Sequence, residues 1–353
     1  MKLIIINYSM SPNSLVFAHQ RDTAIALSQY FESVIVFTPE NSSEILPKNV
    51  RVNLLEWRKK SPVRNAYIVL KTLVPHLISN RKAVVFTHMT DVHAALISPI
   101  TSLFRIRHIL WYAHATNSIF LIWSSFFVNQ ILSSTSGSCN LKLNSHKIKL
   151  INQGISQEDF PFQISKLMER TKLFYYGRLD QSKNIHLLLE LIEKLNHQKD
   201  NFTLDIFGKP TNRQSEMYLV DLRITQMVSK SNSSVKFHEP IERKSIPSTV
   251  KEFDIFLNLF SGSLDKTLIE ATFMGKPVVT WNQEYCREFG TWSGVPIAES
   301  LDFISEEILA LQSKNSFDLR TELERRLNLG LRMHSFAGWI TRLASILQED
   351  MSS

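Results

Sequence analysis

The chain has little cysteine: two residues, Cys139 and Cys286, far apart and without a CxxC pair or a histidine cluster. That usage argues against a disulfide framework and a structural zinc site, and it fits a reducing cytosol. Long hydrophobic runs are missing too. The most apolar stretch, Ser118 to Leu132, is broken by serines and Asn129, whereas a spanning helix needs roughly 20 residues. The run from Met1 to Asn7 is too short for a signal peptide and reads as a buried first strand. A soluble, cytoplasmic protein is expected. No Gly-x-Gly-x-x-Gly follows that strand and no Walker A lysine is present, which argues against NAD enzymes and ATPases. Asp-x-Asp is absent throughout, and no metal or other cofactor is expected.

Charge is what the N-terminal half has in excess. Residues 1–160 hold 16 Lys and Arg against 8 Asp and Glu, while the remainder holds 24 against 25. The formal +7 therefore belongs to the first half, and it is densest between Lys48 and Arg107, including Arg58, Lys59 and Lys60. Such a patch suits nucleic acid or an anionic membrane. No helix-turn-helix, zinc-finger or RNA-binding signature accompanies it, so nucleic acid is not expected as a partner. The inner face of the cell membrane is the preferred surface, and a solvated face is the alternative.

Short apolar runs alternate with helical spacing from the first residue onward. Strands are expected at 2–7, 34–38, 50–55, 83–88, 109–113 and 148–152, with helices at 16–31, 63–79, 91–102 and 118–132. The pattern restarts with strands at 173–176, 202–207, 235–238, 256–259 and 277–280, and helices at 185–196, 214–229 and 266–274. A last helix is expected near 335–348. This alternation indicates parallel sheets covered on both faces. The fold class is α/β, with two doubly wound, Rossmann-like domains facing across a cleft at the carboxyl ends of their strands. The expected boundaries are 1–160, 161–330, and a C-terminal helix in 331–353 packing back on the first domain.

Residues 171–184 and 254–279 each run from an apolar strand through a polar turn into a helix. Arg178 and Lys183 stand five residues apart just past one strand. Glu270 lies one turn inside a helix whose N-terminus can bind phosphate. Cations with a helix N-terminus suit a diphosphate, and a carboxylate suits a ribose diol. That is the layout of a nucleotide-sugar site.

Three segments carry a family resemblance: Gly177-Arg178-Leu179 through Lys183-Asn184, Gly154-Ile155-Ser156 followed by Phe160, and Gly262-Ser263-Leu264-Asp265-Lys266 through Glu270-Ala271 to Gly275-Lys276-Pro277-Val278-Val279. In order and spacing they resemble the group 1 glycosyltransferases (family 4, retaining, GT-B fold) of bacterial surface-polysaccharide type. The likeness covers about residues 150–285, and Trp111-Tyr112-Ala113-His114 is similar to a further segment. The resemblance implies that Arg178 and Lys183 clamp the donor diphosphate and that Glu270 holds the ribose hydroxyls. It places His114 opposite the donor sugar, with His88 in a comparable position, and Gly208, beside Lys209 and Pro210, at the donor loop. Three positions depart from the pattern. Gly262 stands where a second Glu is usual, Asp265 where Gly is usual, and Ser156 where Asp is usual. Asp265 and Lys266 are candidates to take over sugar recognition, with the backbone N–H groups of Lys266 and Thr267 meeting phosphate. A plain helix N-cap is the other reading of Asp265. Asn282 and Glu284 follow the strand at 277–280 as further cleft candidates.

The implied activity is retaining transfer of a sugar from a nucleotide diphosphate sugar to a hydroxyl of a glycan acceptor, lipid-linked, in cell-surface polysaccharide synthesis. Donor binding is expected in the second half and acceptor binding in the first. The alternative is a non-catalytic GT-B scaffold that binds a sugar nucleotide or a partner enzyme. An epimerase of related fold is a third reading.

Overall fold

The structure, a computed structural model, describes residues 1–12, 14, 17–41, 45–56, 61–114, 116–164, 171–198, 201–229 and 232–349. Arg58, Lys59, Lys60 and the expected helix start at Val16 lie outside them. Two compact units are present, one of Met1–Asn152 with Ala337–Ser353 and one of Gln153–Phe336. Residues 153–160 and 331–336 thus group with the second unit.

The first unit runs β1 (Lys2–Ile6), α1 (Ala18–Leu27), β2 (Ser33–Thr38), β3 (Val50–Leu54), α2 (Pro62–Ser79), β4 (Val84–His88), α3 (Asp91–Leu103), β5 (His108–Trp111), α4 (Ile119–Ser125), β6 (Gln130–Ser133) and β7 (Ile148–Leu150). Its strands form one sheet in the order β3-β2-β1-β4-β5-β6-β7. Every pairing in it is parallel, with Ile4 of β1 between Ile35 and Val85. All five residues of β4 are buried, the mark of a strand covered on both faces. Helix α2 starts with Pro62 in its first turn, where a missing N–H costs nothing, and buries Val69, Leu73 and Leu77.

One expectation fails here. Ser118–Leu132 is not a single helix: it is the seven-residue α4, a turn, and then β6. The Ser118 hydroxyl accepts from the Leu121 N–H, while the hydroxyls of Ser124 and Ser125 bond back to the carbonyls of Phe120 and Ile122. Serines that bond back in this way weaken helix continuation. Asn129 then accepts from the His108 N–H at 2.8 Å, tying the turn to β5, and residues 130–133 find their backbone partners in the sheet.

The second unit holds β8 (Thr171–Arg178), α5 (Ile185–Gln198), β9 (Phe202–Lys209), α6 (Arg213–Val228), β10 (Val235–His238), α7 (Ile246–Val250), β11 (Ile255–Asn258), α8 (Lys266–Phe273), β12 (Val278–Thr280), α9 (Gln283–Phe289), α10 (Leu301–Ser313) and α11 (Ser316–His334). Its parallel sheet has the order β10-β9-β8-β11-β12. The sequence reading assigns no element to 281–334, where three helices form. In α11 the periodicity is masked because a charged residue faces inward. Arg326 is buried, pairs with Glu322 at 2.8 Å and stacks on Trp292 at 3.9 Å.

The last helix, α12 (Phe336–Gln348), belongs from Ala337 onward to the first unit, where Trp339 meets Trp111 edge-on at 5.2 Å. Among the described residues, no helix is long and apolar enough to cross a membrane.

Candidate functional site

In the second unit, the carboxyl ends of β8 and β11 converge on the N-terminus of α8. The approach begins with two glycines. Gly177 on β8 pairs with Gly208 on β9, and a Cβ on Gly208 would lie 2.1 Å from the Gly177 carbonyl oxygen. Glycine at 208 is therefore required by backbone contact. Beyond Arg178 the chain turns around Asp180, whose carboxylate accepts from the Ser182 N–H at 3.1 Å. Asn184 follows at φ 53°, a left-handed conformation that asparagine tolerates, and its Nδ2 donates to the Leu259 carbonyl at 2.8 Å. That bond fixes the turn to the end of β11.

The turn directs Lys183 inward. Its side chain is 7% exposed, its Nζ donates to Asp265 Oδ2 at 2.5 Å, and the ammonium sits 3.7 Å from the Phe260 ring centroid. Asp265 is also the N-cap of α8, accepting from the Thr267 N–H at 3.2 Å and from Asn258 Nδ2 at 3.3 Å. Burial works to raise the Asp265 pKa, but the Lys183 charge and the hydrogen bonds outweigh it, so the carboxyl lies below its ordinary range. Asn258 also reaches Thr267 Oγ1 at 3.1 Å. The position of Gly262 is explained by Phe260. A Cβ there would fall 2.1 Å from the tip of that ring, leaving no room for a side chain while the ring covers Lys183.

Glu270 lies one turn into α8 and is buried. Its Oε2 accepts from Tyr176 Oη at 3.2 Å, and Tyr176 also lies 3.3 Å from the Thr267 carbonyl. Burial raises the Glu270 pKa, partly offset by the charges of Arg243 and Lys266. Burial and the neighbouring Glu270 likewise push the Tyr176 phenol well up, so it remains a donor. Arg243, the cation opposing Glu270, pairs with Asp159 at 3.1 Å and lies over the Phe160 ring.

Asn282 and Glu284 act on the loop before α8. Asn282 caps α9 through Tyr285 and donates from Nδ2 to the carbonyls of Phe260 and Gly262 at 3.1 and 2.9 Å. Glu284 accepts from the Leu264 N–H at 2.6 Å, and Gln153 donates to the Leu264 carbonyl at 2.5 Å. These side chains hold the loop's backbone. Arg178 stays largely exposed, 3.4 Å from Asp180, and Lys266 is exposed at the start of α8.

The second unit thus brings together Lys183, Asp265, Thr267 and Glu270. His114 and His88 belong to the first unit. His114 is exposed with its ring 5.8 Å from that of Tyr112, and His88 is buried between aromatic rings at the end of β4. Ser156 is partly exposed and adjoins Ile155, which bridges to Ser335. Sequence reasoning missed Phe260, Asn258, Tyr176 and Arg243. Tyr176 and Asn258 were accessible in principle, being polar residues at the ends of otherwise apolar strands. Nothing local marks Phe260 or Arg243.

Several solved structures share the fold. HepE from Anabaena in complex with UDP-glucose superposes with a TM-score of 0.74 at 14% identity, covering 98% of this chain and 99% of that one. OtsA, in an apo structure, gives 0.76 at 10% identity over 99% and 100%. TarM gives 0.62 at 12% identity over 81% of this chain and 58% of that one. Among curated proteins, none matches this sequence. These likenesses and the two parallel sheets define the fold class as GT-B. Residues 170–311, within the second unit, match the family described as glycosyl transferases group 1.

Proposed function

We propose that the protein is a retaining glycosyltransferase that moves a sugar from a uridine diphosphate sugar to a hydroxyl of a lipid-linked glycan acceptor in surface-polysaccharide synthesis. The observation that carries this reading is the cluster at the start of α8, with Lys183 in contact with the capping Asp265 and Glu270 buried one turn further on. A diphosphate placed there meets the N-terminus of α8 and the Lys183 ammonium, with Arg178 extending from β8. Glu270 has one oxygen engaged by Tyr176 and none on Oε1 among the described residues, so an acceptor is left for a ribose hydroxyl. UDP is favoured because HepE is described with UDP-glucose and an E. coli relative of the same fold with UDP-2-fluoro glucose.

In the reaction, the bond from the anomeric carbon to the diphosphate oxygen breaks and the pair stays on the diphosphate. Arg178 and Lys183 hold that charge in place of a metal. The acceptor hydroxyl adds on the same face and gives its proton to the leaving phosphate, so no carboxylate pair is needed. His114 is assigned to the sugar, and Asp265 and Lys266 to its recognition. Catalysis is placed at the cytoplasmic membrane face. The test is UDP release from a panel of UDP-sugars, followed by the anomeric proton coupling of the product. Release with an inverted product refutes the retaining reading; binding without release or transfer favours the scaffold.

A further inference from the structure

Strand β8 ends in two consecutive tyrosines whose side chains pack into cores on opposite faces of the sheet. Tyr175 Oη donates to the Arg178 carbonyl at 2.9 Å and so braces the turn that carries Arg178 and Lys183. Tyr176 points the other way. Its ring lies parallel to Phe174 at 6.3 Å and tilted against Phe256 at 5.0 Å, which fixes its direction, and the residue is 5% exposed. The phenol reaches the first turns of α8, 3.2 Å from Glu270 Oε2 and 3.3 Å from the Thr267 carbonyl.

The charged groups that bear on Glu270 are Arg243, in the turn before α7, and Lys266 and Asp265 at the start of α8. Arg243 is committed to Asp159, which accepts from its Nε and Nη2 at 3.3 and 3.1 Å, and Asp265 is committed to Lys183. Among the described residues, Tyr176 is the one side chain that hydrogen-bonds the Glu270 carboxylate. It engages one oxygen and leaves Oε1 without a hydrogen-bond partner. A phenol bonds an ionised carboxylate more strongly than a neutral acid, so Tyr176 opposes the effect of burial, which raises the Glu270 pKa.

We propose that Tyr176 is the positioning residue of the donor site: its phenol pins Glu270 Oε2, so that Oε1 is left to accept from a ribose hydroxyl of the uridine nucleotide. This rests on the donor-site reading above and adds to it a residue that does not itself touch the donor. A carboxylate held at one oxygen loses less freedom on binding than one that rotates. Nucleotide affinity, and the preference for ribose over 2′-deoxyribose, should therefore depend on the phenol. Removing it also removes a contact that favours the ionised form, so nucleotide binding should begin to fail at a higher pH on acidification.

The experiment is calorimetric titration of the full chain with UDP and with 2′-deoxy-UDP from neutral to acid pH. Tyr176→Phe keeps the ring and its packing. At neutral pH it should weaken UDP binding by about tenfold, as for a hydrogen bond to a charged group, and shrink the preference for UDP over the deoxy analogue. A partly unfolded variant would lose both ligands alike and leave that preference intact. The pH at which affinity falls should lie higher in Tyr176→Phe than in wild type, the titration of UDP itself cancelling in the ratio. Tyr175→Phe, which removes the phenol on the opposite face, should not move it. In a Glu270→Ala background, Tyr176→Phe should have little effect, because the two groups act through one contact. An unmoved acid profile, an unchanged UDP preference, or a loss that persists without Glu270 would each overturn the proposal and leave the donor site standing. A wild type that binds no UDP removes the donor-site reading, and this inference with it.

Discussion

Lys183 and Asp265, 82 residues apart in sequence, form an ion pair at 2.5 Å, and the Asp265 partner is the residue that caps α8. One contact therefore joins the turn after β8 to the helix start after β11. It also means that the inner cation of the proposed clamp is neutralised before any donor arrives. An incoming diphosphate has to share Lys183 with Asp265, whereas Arg178 is engaged only at 3.4 Å and is 60% exposed.

The two cations should therefore respond differently to removal. Arg178→Ala is expected to cut turnover by roughly 10²-fold with a stability change within about 0.5 kcal/mol, as for other exposed sites. Lys183→Ala should lose activity similarly and also lower the melting temperature, because the largely enclosed Asp265, 16% exposed, loses its ion partner. UDP release and thermal denaturation on both variants check this. Unchanged turnover in either would remove that residue from the clamp.

Asp265→Asn keeps the helix cap but leaves Lys183 buried without its counter-charge, a loss of about 3 kcal/mol for a buried pair. The pH dependence has a definite sign. The Asp265 pKa is lowered in the fold, so its contribution is fully present above the ordinary value of 3.8 and is lost as pH falls through the depressed one. The stability gap between wild type and Asp265→Asn should be widest near neutrality and narrow in acid. A gap independent of pH would mean that packing, not charge, sets it.

For Glu270 the shift has the opposite direction. Burial raises its pKa, so on acidification it takes up a proton above the usual glutamate value of 4.5 and loses acceptor capacity for a diol. Donor affinity of the wild type should weaken across that acid range, and the affinity of Glu270→Gln should not change there. A 2′-deoxy donor should lose little further affinity in Glu270→Ala, since hydroxyl and carboxylate report on one contact. Calorimetric titration of the four pairs measures this; additive losses would place Glu270 away from the ribose.

Gly208→Ala tests the strand approach. A methyl group 2.1 Å from the Gly177 oxygen forces β8 and β9 apart at the base of the site. The expected cost is about 3 kcal/mol, at the upper end for overpacking, because the obstacle is backbone and cannot rotate aside. Gly262→Ala, with its methyl group equally close to the Phe260 ring tip, should be milder because that ring can turn. Equal melting temperatures for both variants would contradict this account.

Most strands and helices of both units were legible in the sequence, as was the strand–turn–helix frame of 171–184 and 254–279. Alternating apolar runs and helical spacing are local properties, and local sterics and burial periodicity suffice to place them. The same reasoning failed at Ser118–Leu132. There an apolar run satisfies either a helix or a helix followed by a strand, and only the vacant edge beside β5 decides for the latter. It was silent on 281–334, where inward-facing Arg326 hides the periodicity of α11.

At the site, the sequence by itself determined which charged residues flank the strand ends and how far apart they stand along the chain. Tertiary structure decided what those charges are worth. Lys183 is neutralised by Asp265 and roofed by Phe260, Arg178 remains in solvent, and Glu270 is buried against Tyr176. Each outcome depends on burial and on partners from other elements, because the energy of a charge is set by its surroundings and not by its order in the chain. Gly262 illustrates the same division. Its place in the motif was visible, but its physical reason, the Phe260 ring where a side chain would go, exists only in three dimensions.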